Sequence, residues 1–106
     1  MSEDVRSILR EVKAGLAVAY GARLRGVYLF GSRARGDAES ESDVDVLVVL
    51  DRVDSYGAEV ERTGELVSRL SLESGLNISR VFVAEEDWRQ GRTVFLQNVH
   101  EEAVPA

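Results

Sequence analysis

Residues 44–50 read Val-Asp-Val-Leu-Val-Val-Leu, and no other feature constrains the chain as tightly. A seven-residue segment with one acid, otherwise apolar and rich in β-branched side chains, has the length of a strand rather than a core helix. Its unbroken apolar end suits a central strand. A central strand needs a partner on each side, so the rest of the chain has to supply a sheet around it.

The flanking pattern does so. Val5, Ile8, Leu9, Val12, Leu16 and Ala19 recur at helical spacing, which predicts an amphipathic helix from Ser2 to about Tyr20. Ser2 serves as its cap, Glu3 and Asp4 are acids in its first turn, and Gly21 is its stop. Val27 to Phe30 reads as a strand broken by Gly31, and the polar segment from Gly36 to Ser42 as a loop. A second helix is expected from Asp51 to about Ser74, entered through Asp54 or Ser55, closed by Gly75, and burying Val60, Leu66, Val67 and Leu70. Leu76 to Ala84 is a third strand, followed by a short helix near Glu85 that carries Trp88. Val94, Phe95, Leu96 and Val99 predict a last helix packing back on the core. The order helix, strand, strand, helix, strand, helix describes a small α/β (α+β) sandwich. It has a short mixed sheet with helices on one face and the other face free to carry a site.

At 106 residues the chain is one domain's worth, 1–106. Its formal charge of −6 repels a phosphate backbone, which argues against direct nucleic-acid binding. Without cysteine, disulfides and thiolate zinc sites are excluded. The charged N-terminus lacks an apolar signal core, and no apolar stretch approaches the roughly 20 residues that cross a bilayer. A cytoplasmic protein with no membrane partner is expected.

The chemistry-bearing stretch runs from Gly31 to Leu50. Strand alternation puts Asp43 and Asp45 on one face, about 6 to 7 Å apart. Two carboxylates that close are costly unless a cation sits between them, and magnesium, which takes oxygen ligands from protein and phosphate, suits the pair. Upstream, Gly31 lets backbone amides approach a phosphate, the Ser32 hydroxyl can donate to it, and Arg33 and Arg35 can pair with its charge. A phosphate cradle on one strand end and metal carboxylates on the next are the parts of a phosphoryl- or nucleotidyl-transfer site. Other motifs fail on inspection. Gly31 and Gly36 have Walker spacing, but Asp37 stands where the lysine belongs. Asp43-Val44-Asp45 opens like a calcium loop, but Leu47 and Val48 occupy positions needing an oxygen ligand and a glycine. Arg35-Gly36-Asp37 spells an adhesion tripeptide by chance. His100, Trp88, Phe95 and the tyrosines Tyr20, Tyr28 and Tyr56 are expected to be structural.

An apolar strand, Gly31-Ser32, a spacer, and Asp43-x-Asp45 opening the next strand resemble the signature of the polymerase-beta-like nucleotidyltransferase superfamily. The closest resemblance is to its minimal nucleotidyltransferases. It implies that Gly31 and Ser32 hold the phosphates of ATP or another NTP and that Asp43 and Asp45 bind magnesium. It also implies an antitoxin paired with a helical HEPN-type toxin, to which AMP is transferred on a tyrosine. Active members add a third carboxylate from a neighbouring strand. Here the strand reads Asn77-Ile78-Ser79-Arg80-Val81-Phe82-Val83, without an acid, while Glu85, Glu86 and Asp87 fall in the next helix's cap. The alternative is therefore a binding module of the same fold that neutralises its partner by contact.

Overall fold

A computed structural model describes residues 1–106. Helix α1 spans Glu3–Tyr20, with the Ser2 hydroxyl accepting from the Val5 amide as its cap. Strand β1 spans Leu24–Phe30, the short helix α2 Ser32–Arg35, and strand β2 Val44–Leu50. Helix α3 (Tyr56–Ser74), strand β3 (Ile78–Ala84), helices α4 (Glu85–Gln90) and α5 (Val94–Glu102), and the two-residue strand β4 (Val104–Pro105) complete the chain. The sheet order is β3-β2-β1-β4. β1 is antiparallel to β2 and to β4, and β2 is parallel to β3, so the sheet is mixed as expected.

Strand β2 is central, and both of its faces are buried. Val44, Val46, Val48 and Leu50 face α1 and α3, meeting Ile8, Leu9, Val12, Leu16, Val67 and Leu70. Leu47 and Val49 point the other way and are equally dry at 0 % and 2 % exposure. They are covered by Trp88 of α4 and by Leu96 and Val99 of α5. The two long helices do share one face, but the expectation that the opposite face lies free is corrected: two short helices cover most of it. The unbroken run of β2 already required this, since two apolar rows left in water would cost the fold its hydrophobic gain.

Several boundaries also move. β1 begins at Leu24 rather than Val27, because the chain leaves α1 through a single 3-10 turn, Gly21–Arg23. α2 lies between the expected strand end at Phe30 and the expected loop from Gly36, on residues for which no element is expected. α3 begins only after Ser55, whose hydroxyl caps the Ala58 amide, so Asp51 to Asp54 form a connection. Val60 is exposed, and Glu59 and Thr63 take its place on the buried stripe. β4 has no counterpart in the expected order; it adds a short edge to β1, where Pro105 is tolerated because an edge strand needs no ladder bond on its outer side. On the other edge, β3 is shielded by side chains of α3. Ser71 and Tyr56 hydroxyls accept from the Ile78 and Phe82 amides, and Arg80 lies back onto Thr63 and the Val60 carbonyl. A blunted edge of this kind resists pairing with another chain.

Candidate active site

The site lies where β1 ends and β2 begins, because antiparallel pairing puts Phe30 opposite Asp45. Gly31 turns the chain with φ +79°, a left-handed conformation that side chains rarely adopt, and a Cβ there would come 2.2 Å from Asp45 Oδ2. The glycine is thus what allows the Asp45 carboxylate to lie against the turn. Ser32 and Arg33 open α2, so their amides have no intrahelical acceptor. Gly36, in the left-handed region, closes α2 and its amide donates to the Ser32 carbonyl.

The two arginines part company. Arg35 reaches the site, with Nη1 3.2 and 3.3 Å from the Glu102 carboxylate oxygens and Nε 3.2 Å from Asp37 Oδ2. Arg33 turns into the loop, donating to the Ser42 carbonyl at 2.8 and 3.0 Å and to that of Ser40 at 3.4 Å. It thereby braces the segment leading to Asp43. Asp43 is exposed at the mouth of β2 and accepts from Asn77 Nδ2 at 3.0 Å. Asp45, half-buried, has its pKa raised, first by desolvation, then by the charges of Asp43 and Glu102, against which Arg35 acts. The structure thus brings together Gly31, Ser32, Arg35 and Asp45, with Asp43 at the rim.

One acid here is not foreseen from the sequence. Glu102, the last residue of α5, accepts a short hydrogen bond from the Gly31 amide. Its trace in the sequence is spacing: Leu96 and Val99 are buried, and three residues further on the same stripe carries an acid. On β3 the residues paired with Asp45 and Leu47 are Ser79 and Val81, so no third carboxylate comes from that strand. No three His, Cys, Asp or Glu side chains gather as a self-sufficient metal cage. Of the apolar set expected to pack α5 on the core, Leu96 and Val99 are buried, whereas Val94 and Phe95 are exposed. Trp88 is buried with His100 stacked on it at 3.7 Å, and Phe95 meets Phe30 edge-on.

Residues 6–104 match the nucleotidyltransferase domain family. The chain belongs to that family. Among its relatives, the protein adenylyltransferase MntA of Thermococcus cleftensis is 36 % identical over 84 residues, which cover 70 % of this chain and 83 % of that one. A solved structure assigned as a minimal nucleotidyltransferase superposes with a TM-score of 0.65 at 26 % identity, covering 98 % of this chain and 94 % of the other. A toxin–antitoxin structure with AMP-PNP has the same fold, with a TM-score of 0.60 at 24 % identity over 89 % of this chain and 68 % of that one. The nucleotidyltransferase fold therefore accounts for nearly all of the chain, and no helix is long and apolar enough to cross a membrane.

Proposed function

We propose that the chain, as one nucleotidyltransferase domain over residues 1–106, is the cytoplasmic antitoxin of a toxin–antitoxin pair. It transfers NMP, AMP foremost, from an NTP to a tyrosine hydroxyl of a HEPN-type toxin. The observation that carries the reading is Gly31, where the absence of a side chain lets the turn and the Asp45 carboxylate share one corner. The kinship with a protein adenylyltransferase supports the reaction, and the AMP-PNP-bound toxin–antitoxin of the same fold supports the partner.

The donor set fits magnesium: Asp43 and Asp45, two residues apart where β2 begins, offer hard oxygen ligands on one face. Magnesium held by these two aspartates would supply positive charge to the substrate polyphosphate. Gly31 and Ser32 then present backbone amides and a hydroxyl to the phosphates, and Arg35 adds a charged, two-pronged donor. Arg33, held by the Ser40 and Ser42 carbonyls, keeps the loop before Asp43 in place, and its part in nucleotide binding is through that loop. In the transfer, the acceptor oxygen bonds to the α-phosphorus, the bond from that phosphorus to the bridging oxygen breaks, and pyrophosphate leaves with the electron pair. No acid of β3 stands ready for the hydroxyl proton, so the acceptor's surroundings take it. General-base help is typically worth about 10² to 10⁴-fold in rate, and its absence from β3 predicts slow transfer.

A formal charge of −6 suits a basic, RNA-binding partner, since complementary charge speeds encounter. The same acid-free β3 favours the second reading, a domain that neutralises its partner by contact alone. Incubation of the copurified pair with labelled NTPs and magnesium separates the two. The transferase reading expects one AMP mass on a partner tyrosine, lost in Asp45→Asn. A stable complex that takes up no label leaves the contact mechanism, and failure to copurify with any toxin removes the antitoxin assignment. Nucleotide is expected to raise the melting temperature only with magnesium present, and not in Asp45→Asn.

A further inference from the structure

We propose that Glu102 is a built-in occupant of the phosphate cradle, which the nucleotide has to displace. This rests on the assignment of Gly31 and Arg35 to phosphate made above. Both donors are engaged by the one carboxylate: the Gly31 amide donates to Oε2, and Arg35 Nη1 lies 3.2 Å from Oε2 and 3.3 Å from Oε1. A carboxylate is an acceptor-only anion that copies two oxygens of a phosphate, and a backbone amide has a single proton to give. Glu102 and a phosphate oxygen therefore exclude one another at Gly31.

The side chain is delivered there by its surroundings rather than by chance. Leu96 and Val99 fix α5 on the sheet from one side. The Ala103 amide closes onto the Val99 carbonyl at 2.8 Å, and β4 pairs Val104 with Leu29 and Pro105 with Tyr28 on the other. The Glu102 side chain is 20 % exposed and the backbone at its root is held, so the mobile part is the side chain alone. It has somewhere to go. An open cleft of about 600 Å³, lined by Ala34, Arg35, Asn98, Glu101 and Glu102, lies beside it. A rotation into that cleft frees Gly31 and Arg35 without moving α5.

The site contains Asp43, Asp45 and Glu102 against Arg35 as the facing cation, and Arg35 is itself shared with Asp37. Adding a polyphosphate with Glu102 still in place would set a further anion against those acids. The nucleotide-competent form is thus the one in which Glu102 has swung out. If that form makes up about a tenth of the free protein, apparent affinity is reduced about tenfold.

The test is calorimetric titration of the intact chain with magnesium AMP-PNP and, separately, with inorganic tripolyphosphate. Wild type is compared with Glu102→Gln, which keeps the side-chain shape and removes its charge. Glu101→Gln serves as control, because Glu101 lines the cleft and contacts neither donor. The expected result is binding of both probes about tenfold tighter in Glu102→Gln, unchanged in Glu101→Gln, and a slightly lower melting temperature of free Glu102→Gln. A purely structural Glu102 would give the lower melting temperature with equal or weaker binding, which overturns the proposal and leaves the nucleotide reading intact. A gain for tripolyphosphate without AMP-PNP binding in either protein keeps the occupant and removes the nucleotide. An equal gain in Glu101→Gln reduces the effect to net charge and overturns the proposal, as does binding of neither probe to any variant, which removes the nucleotide reading with it.

Discussion

The sheet has an acid cluster at each end, and the two are built on opposite plans. Beyond the start of β1, Glu59 is 4 % exposed, yet it accepts from Tyr20 Oη at 3.0 Å, Arg23 Nη2 at 3.3 Å and Arg62 Nε at 3.2 Å. Desolvation is the largest influence on its carboxyl, but these three hydrogen bonds outweigh it and the pKa is lowered. At the far end, Asp45 is less buried but its pKa is raised, first by desolvation and then by the charges of Asp43 and Glu102, with Arg35 alone acting against them. Burial alone does not decide how an acid behaves; the number of donors does. The Glu59 end is a closed account of charge that holds α1, α3 and the start of β1 together. The Asp45 end is left short of positive charge, the kind of perturbed environment in which functional sites cluster.

The largest expected effect breaks the balanced end. Glu59→Ala leaves Arg23, Arg62 and the Tyr20 hydroxyl without their common acceptor, and should cost about 3 kcal/mol. Urea denaturation with an unchanged m-value would measure it. A cost under about 1 kcal/mol would show that water satisfies those donors and that the cluster is ornamental.

Next in size is Gly31→Ala. The residue would have to hold φ +79° and push Asp45 aside, for a cost of about 1 to 2 kcal/mol. Because the first atom it meets is the end of a side chain, the domain should still fold. Its magnesium-dependent nucleotide stabilisation should be lost, which thermal melting with and without nucleotide reads directly. Retention of that stabilisation would detach Gly31 from the site.

These two positions also show what the sequence makes legible. The Gly31-Ser32 turn and the Asp43-x-Asp45 pair are local, so spacing alone places them on adjoining strand ends. Glu59 and Glu102 are not local. Each sits on the apolar stripe of its helix, after or before residues that do go inside, and its partners come from elements far away in the chain. Periodicity flags each as an anomaly but cannot supply Tyr20 or Gly31 as the reason. The covered second face was legible in the unbroken run of β2, whereas β4, two residues anchored by pairing with β1, has too few residues to show a pattern.

A smaller effect tests the balanced end from its phenol. The Tyr20 pKa is pushed up from 10.0 to about 12, first by desolvation and then by the hydrogen bond to Glu59. A raised pKa means the neutral phenol is favoured by folding. Its contribution is complete below the unfolded value near 10 and is lost as pH rises through about 12. Tyr20→Phe should cost about 1 kcal/mol at neutral pH, the worth of one hydrogen bond to a charged acceptor less the favourable loss of a polar group. Its stability should also fall less steeply than that of wild type between pH 10 and 12. Parallel alkaline curves would mean that Tyr20 is not coupled to folding.

The smallest effect has the opposite sign and belongs to the site. Asp45 has its pKa raised, so folding favours its protonated form, and at neutral pH the ionised carboxylate works against the fold. Asp45→Asn removes that partly desolvated charge and its repulsion by Asp43 and Glu102 while keeping the shape beside Gly31, and should stabilise the free protein by about 0.5 kcal/mol, the scale of a solvent-screened charge pair. The gain should be present above the folded pKa and should vanish as pH falls below the ordinary aspartate range, where wild type is protonated as well. Thermal melting of the two proteins from pH 3 to 8 would show the curves converging at the acid end. At the other cluster acid has the reverse effect, since Glu59, with its lowered pKa, contributes stability above its unfolded value and loses it as pH falls. Wild type is therefore expected to lose stability in acid through Glu59 while gaining a little through Asp45. In Asp45→Asn only the loss remains, and its acid limb should be the steeper. If Asp45→Asn instead destabilises the free protein at neutral pH, Asp45 is a structural partner of Arg35, and the contrast between the two ends disappears.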